Sequence, residues 1–292
     1  MLTASCSVIV PTLDRPESIR RVLREVLDQA GADVEVVAVD QSAPDERAAL
    51  RRWAMERGDP RLTVVERDEP GLPAARNAGV AATTAPIVVF LDDDVTLDPG
   101  CLGAHVAAYV DPTVGGVVGR IREERLRSNA PSPTCRIGLD GRTRVGLDGD
   151  TSGEVETVKG ANMSFRRAAL HDAGPFDAAY RGTALLEDAD LSTRVRRAGW
   201  RLVFVPEAAI IHHHHPTGGV RMGADAQTER WRFHNTGLFM ARHRSVPAVL
   251  PALATFGAIA VARAVRWRDP IAAPRLVREW IKGWAEGRRP PR

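Results

Sequence analysis

Lysine is nearly missing from this 292-residue chain: Lys159 and Lys282 stand alone among 40 basic residues, the rest being arginine. Net charge is only +3, and no basic stripe interleaves with the few aromatic residues, which argues against a nucleic-acid binder. Cysteine is scarce as well. Cys6, Cys101 and Cys135 are odd in number and widely spaced, so neither a zinc CxxC pair nor a disulfide framework is present. Thiols so placed fit a reducing, cytoplasmic compartment. The N-terminus lacks the basic stretch and apolar core of a signal peptide, because "SCSVIVPT" enters an apolar β-branched run at once. The segment after the first strand, "VIVPTLDRPESI", has no glycine, which excludes a glycine-rich phosphate loop of the nucleotidyl-transfer kind. One long uncharged run exists, 246–262, and at 17 residues it falls short of the roughly 20 needed to span a bilayer.

What is present is a regular alternation. "SVIVP" (7–11), "VEVVAVD" (34–40), "RLTVVE" (61–66) and "PIVVFLD" (86–92) read as strands. Between them, 15–31 and 44–58 read as amphipathic helices that each end on glycine, and "GLPAARNAGVAAT" (71–83) opens a short one. Asp98-Pro99 predicts an N-cap and first-turn proline for a helix through Val110. This pattern predicts an α/β fold, a mostly parallel sheet with helices on both faces. Ligands of such sheets bind beyond the carboxyl ends of the strands, which is where Asp40 and Asp92 fall. Residues 120–156 read as long loops, 185–206 as a helix then a strand, and the chain changes character after His215.

The acidic triplet in "IVVFLDDDVTLDPG" (87–100) is the main chemical signal. Side chains alternate in an extended segment, so Asp92 and Asp94 share one side and Asp93 the other. Two carboxylates above a parallel sheet call for a hard divalent cation, Mn2+ or Mg2+, of the sort that also holds phosphates. A solvated acidic turn is the plainer alternative. "DDDVT" also satisfies the D-x-D-x-T pattern of haloacid-dehalogenase-type phosphatases, with Asp92 as nucleophile and Lys159, Asp188 and Asp190 in support.

Six segments in order resemble the inverting family 2 glycosyltransferases of the GT-A fold: "SVIVPTLDR" (7–15), "VVAVDQS" (36–42), "GLPAARNAG" (71–79), "VVFLDDDV" (88–95), "KGANMSFRR" (159–167) and "LLEDADLSTRVRRAGWRLVFVPEAAIIH" (185–212). The resemblance implies a Rossmann-like GT-A domain at 1–215, with a nucleotide-sugar half (1–119) and an acceptor half (120–215), followed by a helical extension at 216–292. It implies donor contacts from Pro11, Thr12, Asp14, Asp40, Arg76, Asp92 and Asp93, and metal ligation by Asp94 and His212. Asp188 of "LLEDADL" is implied as general base, assisted by Glu187, and Asn162 as an acceptor-side residue. Simpler roles stay open: Thr12 and Asp14 as helix caps, Asp40 as a turn residue, Arg76 as a solvent-facing arginine, and Glu187, Asp188 and Asp190 as acids favoured by a helix dipole. The other histidines of "IIHHHHPTGG" read as loop residues. "QTERW" (227–231) is similar to the QxxRW of processive members, which marks Arg230 and Trp231 as acceptor-side candidates without implying processivity.

Many members carry asparagine where this chain has Glu69, so a UDP-sugar donor is an expectation of the resemblance alone. The acceptor is expected to be a glycan, a lipid-linked or a small-molecule hydroxyl. A non-catalytic glycan-binding module is the non-enzymatic alternative, disfavoured because Asp94 and Asp188 are both retained. For 246–292 three roles stay open: helices closing the catalytic domain, a homo-oligomer interface, or peripheral attachment to the inner face of the cell membrane through "PRLVREWIKGWAEGRRPPR".

Overall fold

A computed structural model describes residues 5–123, 133–213 and 225–289. The alternation read from the sequence folds as β1 (Cys6–Thr12), α1 (Pro16–Gln29), β2 (Val34–Asp40), α2 (Pro44–Arg57), β3 (Leu62–Glu66), α3 (Leu72–Ala81) and β4 (Ile87–Leu91). Helix α1 follows from its sequence: Ile19, Val22, Leu23, Val26 and Leu27 recur at helical spacing and are buried, and a proline stands in the first turn. Parallel ladders order these strands β3-β2-β1-β4, with Thr12 opposite Asp40 in register. Every residue of β1 and β4 is buried, so both faces of this half are covered.

The second half is mixed. It comprises β5 (Val95–Leu97), α4 (Cys101–Ala107), β6 (Val114–Glu123), β7 (Thr134–Ile137), β8 (Thr143–Gly146), β9 (Gly153–Glu154), β10 (Asn162–Arg166), α5 (Arg167–Ala173), α6 (Glu187–Arg197) and β11 (Arg201–His212). β10 runs against both β4 and β6, β6 is parallel to β11, and β5 and β9 pair antiparallel with β11. These directions bring the ends of β1, β2, β4 and β11 and the start of β10 to one edge of the sheet. Part of the segment read as long loops is therefore strand: β6 continues to Glu123, β7 and β8 form a hairpin, and β9 adds to the sheet edge.

The predicted cap at Asp98 is corrected. Helix α4 starts at Cys101 after Gly100 in a left-handed conformation, and the Asp98 carboxylate pairs with Arg122. Asp98-Pro99-Gly100 is a turn that delivers the helix, with the Cys101 N–H donating to the Asp98 carbonyl at 3.1 Å.

Three helices complete the chain: α7 (Ala226–His243), α8 (Val246–Trp267) and α9 (Ala272–Gly287). Asp225 caps α7, its Oδ1 accepting the Thr228 N–H at 2.6 Å. Helices α7 and α9 cross where Gly237 faces the Trp280 carbonyl and Gly283 faces that of His234, leaving no room for a side chain at either glycine. Their apolar faces share a second core with Tyr180, Leu186 and Ala189, which flank the start of α6. The expected boundary at 215/216, with His214 and His215, lies outside the described residues.

Candidate active site

The acidic triplet sits in a turn between β4 and β5 at the converging edge. Its alternation is as predicted: Asp92 and Asp94 gather with His212, with one ligand atom from each within 4.8 Å of the others, while Asp93 turns inward. β5 pairs with the end of β11, placing Val95 opposite His212, and the His213 N–H donates to the Asp94 carbonyl at 3.0 Å. His212 Nε2 lies 3.1 Å from Asp94 Oδ1 and 3.9 Å from Asp92 Oδ2. Two carboxylate oxygens and an imidazole nitrogen form a donor set that fits a divalent first-row ion such as Mn2+, whereas Mg2+ favours oxygen alone. His213 turns away onto the Thr96 hydroxyl at 2.8 Å.

Asp93, expected as a donor contact, braces the triplet from inside. It is buried, accepting from the Thr12 hydroxyl at 2.7 Å and from Arg15 Nη1 at 2.8 Å, and the same Arg15 nitrogen reaches Asp94 Oδ2 at 2.9 Å. Burial pushes the Asp93 carboxyl up to about 6, against the pull of Arg15 and Thr12. Arg15 thus ties the end of β1 to the triplet. Arg15 closes "SVIVPTLDR", but its partners are 78 and 79 residues away, so no local spacing marks it.

The ends of β1 and β2 form a shelf beside this cluster. Asp40 Oδ1 accepts the Ser42 N–H at 2.9 Å, so its turn role is real, and Asp14, exposed with φ 54°, gives its N–H to the Ser42 hydroxyl at 2.8 Å. Neither Thr12 nor Asp14 caps α1 with its side chain. Gln41 Oε1 accepts the Gly71 N–H at 2.6 Å, fixing the loop that carries Glu69. Pro11 is buried at the end of β1.

The solvent-facing alternative for Arg76 is corrected. Its side chain is 1% exposed and pairs with Glu187, with Asp92 at 3.4 Å and with the Gly160 carbonyl at 3.1 Å, while its guanidinium stacks 5.6 Å from the Phe176 ring. It is a buried strut joining the triplet to the second acidic site. Burial, reinforced by neighbouring Asp188, pushes the Glu187 carboxyl up to about 7 despite Arg76. One Glu187 oxygen has no hydrogen-bond partner among the described residues.

Asp188 is the other acidic pole. Its Oδ2 accepts the Gly160 N–H at 3.0 Å and lies 3.4 Å from Lys159 Nζ, and its Oδ1 accepts the Ala189 N–H at 2.8 Å. Burial opposes ionisation, yet Lys159 and the two backbone donors prevail and hold the carboxyl below its ordinary range. The helix-terminus reading and the base reading of this acid are thus compatible in one geometry. The approach to α6 is strained: Ala184 and Leu186 adopt φ of 49° and 74°, positions that side chains avoid. Asp190 faces away, clamped by Arg194 at 2.8 Å, His243 at 2.6 Å and the Tyr180 hydroxyl at 3.2 Å, so α7 is tied directly to α6.

Two acceptor-side assignments fare differently. Asn162 is fully buried, its amide donating to the carbonyls of Arg120 and Ala208 and its oxygen meeting His105, so it braces the sheet. Trp231 lies over Gly182, whose φ of 58° and lack of Cβ admit the indole, six residues before Asp188. Arg230 turns to Glu279 on α9 at 3.2 Å.

The sheet, the triplet at its edge and the acidic helix terminus beside it have the architecture of the GT-A fold. The family model "Glycosyl transferase family 2" matches residues 7–173, and the chain belongs to that family. Membership of this family disfavours the phosphatase reading, since the acidic triplet falls inside the matched segment. Among curated relatives, the pre-mycofactocin glycosyltransferase of Mycobacterium tuberculosis (strain H37Rv) is 36% identical over 155 residues, covering 49% of this chain and 30% of that protein. Glycosyltransferase AglE of Haloferax volcanii is 26% identical over 216 residues, covering 73% and 68%. The chain therefore matches under a third of the mycobacterial relative's length. Two solved structures share the fold: GalNAc-T7 with UDP, GalNAc and Mn2+ (TM-score 0.64, 14% identity, 82% of this chain and 50% of that one), and mannosyltransferase PcManGT from Pyrobaculum calidifontis with GDP-Man and Mn2+ (0.60, 21%, 99% and 77%).

Proposed function

We propose that this glycosyltransferase moves one sugar from a nucleotide-diphosphate donor to an acceptor hydroxyl with inversion, and that Asp188 is its general base. The observation that carries the reading is the pair of unlike acidic poles at one sheet edge, bridged by Arg76. One pole, Asp92, Asp94 and His212, gathers ligand atoms. The other, Asp188, is a carboxylate kept ionised by Lys159 and two N–H groups. Asp92, Asp94 and His212 would hold the divalent cation, which when bound neutralises charge on the leaving diphosphate. Thr12, Arg15 and Asp93 fix the triplet, and the shelf of Pro11, Asp14 and Asp40 is assigned to the nucleoside. Asp188 takes the acceptor proton as the acceptor oxygen bonds to the anomeric carbon. The bond from that carbon to the diphosphate oxygen breaks on the opposite side, and the nucleoside diphosphate leaves. Glu187, through Arg76, keeps the two poles in register.

The two structural neighbours were solved with UDP and with GDP-Man, so the nucleotide is carried as UDP by resemblance only. The acceptor is a glycan, lipid-linked or small-molecule hydroxyl, with Trp231 above the 182–186 loop as its candidate platform. A reducing compartment fits three buried, unpaired cysteines, and we assign the enzyme to the cytoplasm. The test is a panel of nucleotide sugars incubated with Mn2+ to find the donor, followed by assignment of the product anomer by NMR. Retention at the anomeric carbon overturns the mechanism, and silence across the panel with and without Mn2+ overturns the donor assignment.

A further inference from the structure

Helix α8 is apolar on both sides. Its inward side, Ala252, Phe256 and Ala260, packs in the core shared with α7 and α9. A surface helix ordinarily turns polar residues outward. Here the outward side carries Val246, Leu250, Ala254, Ala258, Val261 and Val265, spaced three or four residues apart. Four of these are large and well exposed, Val246 at 59%, Leu250 at 69%, Val261 at 57% and Val265 at 73%. At about 1.5 Å per residue this makes a charge-free stripe nearly 30 Å long. Such a stripe is unusual on a soluble surface and marks an interaction face.

The charge around it selects the partner. From 246 to 289 there are eight basic residues and three acids. All three acids are neutralised within the fold: Asp269 by Arg275, Glu279 by Arg230 and Lys282, and Glu286 by Arg181 and His234. Arg266 and Arg268 at the end of α8, Arg278 on α9 and Arg288 and Arg289 just after it remain exposed, and Ile271 before α9 and Ile281 on it are half exposed. By length and composition alone Val249–Trp267 could cross a membrane. Packing of its inner side against α7 and α9, and Pro251 within it, favour a helix lying along a surface instead. A symmetric dimer through this face would set like-charged arginine rims against each other. An anionic bilayer meets both the apolar stripe and the rim.

We infer that the outward face of α8, with the basic residues of α9, docks the protein on an anionic lipid surface. This does not depend on the sugar-transfer reading. The full chain is sedimented with vesicles of phosphatidylcholine alone and of phosphatidylcholine mixed with phosphatidylglycerol. Binding is expected on the mixed vesicles and falls away on the neutral ones. Each arginine near such a surface accounts for roughly fivefold in partitioning, so Arg266→Gln with Arg278→Gln should weaken binding on the order of thirtyfold. Leu250→Glu with Val265→Glu should abolish it. All four side chains are exposed, and unchanged circular dichroism establishes that the variants fold. The inference is overturned if the full chain ignores both vesicle types, if binding is equal on both and indifferent to the arginine pair, or if the stripe instead forms a dimer that Leu250→Glu dissociates.

Discussion

Replacing Asp188 by asparagine separates the catalytic from the structural role of that carboxylate, and the structure fixes what each should cost. The carboxylate accepts from the backbone of Gly160 on one oxygen and of Ala189 on the other. Asparagine matches it in size but offers one acceptor oxygen, so either way round its NH2 group faces a backbone N–H. One buried donor left without a partner costs roughly 1–3 kcal/mol, and at about 2 kcal/mol the melting temperature should fall by about 4–8 °C. Loss of general-base help is a separate and larger effect on rate, about a hundredfold to ten-thousandfold in turnover. Donor affinity should be unchanged, because Asp92, Asp94 and His212 stand on other elements. Thermal melts, nucleotide release at saturating donor and acceptor, and calorimetric titration of the nucleotide measure the three quantities. Turnover within a few-fold of the parent protein refutes the base assignment. A fall in donor affinity that accounts for the whole loss of kcat/KM places Asp188 in donor binding instead.

Asp94→Asn should weaken Mn2+ binding by more than tenfold, a ligand loss exceeding the roughly 10–100-fold effect of a supporting residue at its lower end. Titration of free Mn2+ by electron paramagnetic resonance checks this without turnover, and unchanged affinity removes Asp94 from the metal site. Glu35 predicts an acid-stability effect. Burial alone would raise its carboxyl, but donors from Ser7, Thr84 and Ala85 hold it down at about 2, below its ordinary 4.5. A depressed folded-state value means the stabilisation is full above pH 4.5 and is lost as pH falls through 2. Glu35→Gln should therefore lower stability by about 1 kcal/mol at neutral pH, discounted for partial exposure, and flatten the stability curve between those limits. Denaturant melts across that range decide it, and a parallel curve for the variant refutes it.

The sequence alone determined the alternating elements, the parallel half of the sheet and the edge to which Asp40 and Asp92 are carried, because hydrophobic period and strand direction are local properties of the chain. It also placed Asp92 and Asp94 together and Asp93 apart, since alternation at a strand end needs no partner to define it. Only the tertiary structure decided what the remaining polar side chains face. Arg76, Asp93 and Asn162 carry the residue types of a binding site, yet each is consumed inside the protein, by Glu187, by Arg15 and Thr12, and by two strand carbonyls respectively. Their partners lie 111, 78, 81, 42 and 46 residues away, so no spacing in the sequence could announce them. The same holds for α8. Its composition was plain in the chain, but which of two apolar sides would be buried depended on where α7 and α9 came to rest, and burial of one side is what leaves the other facing out.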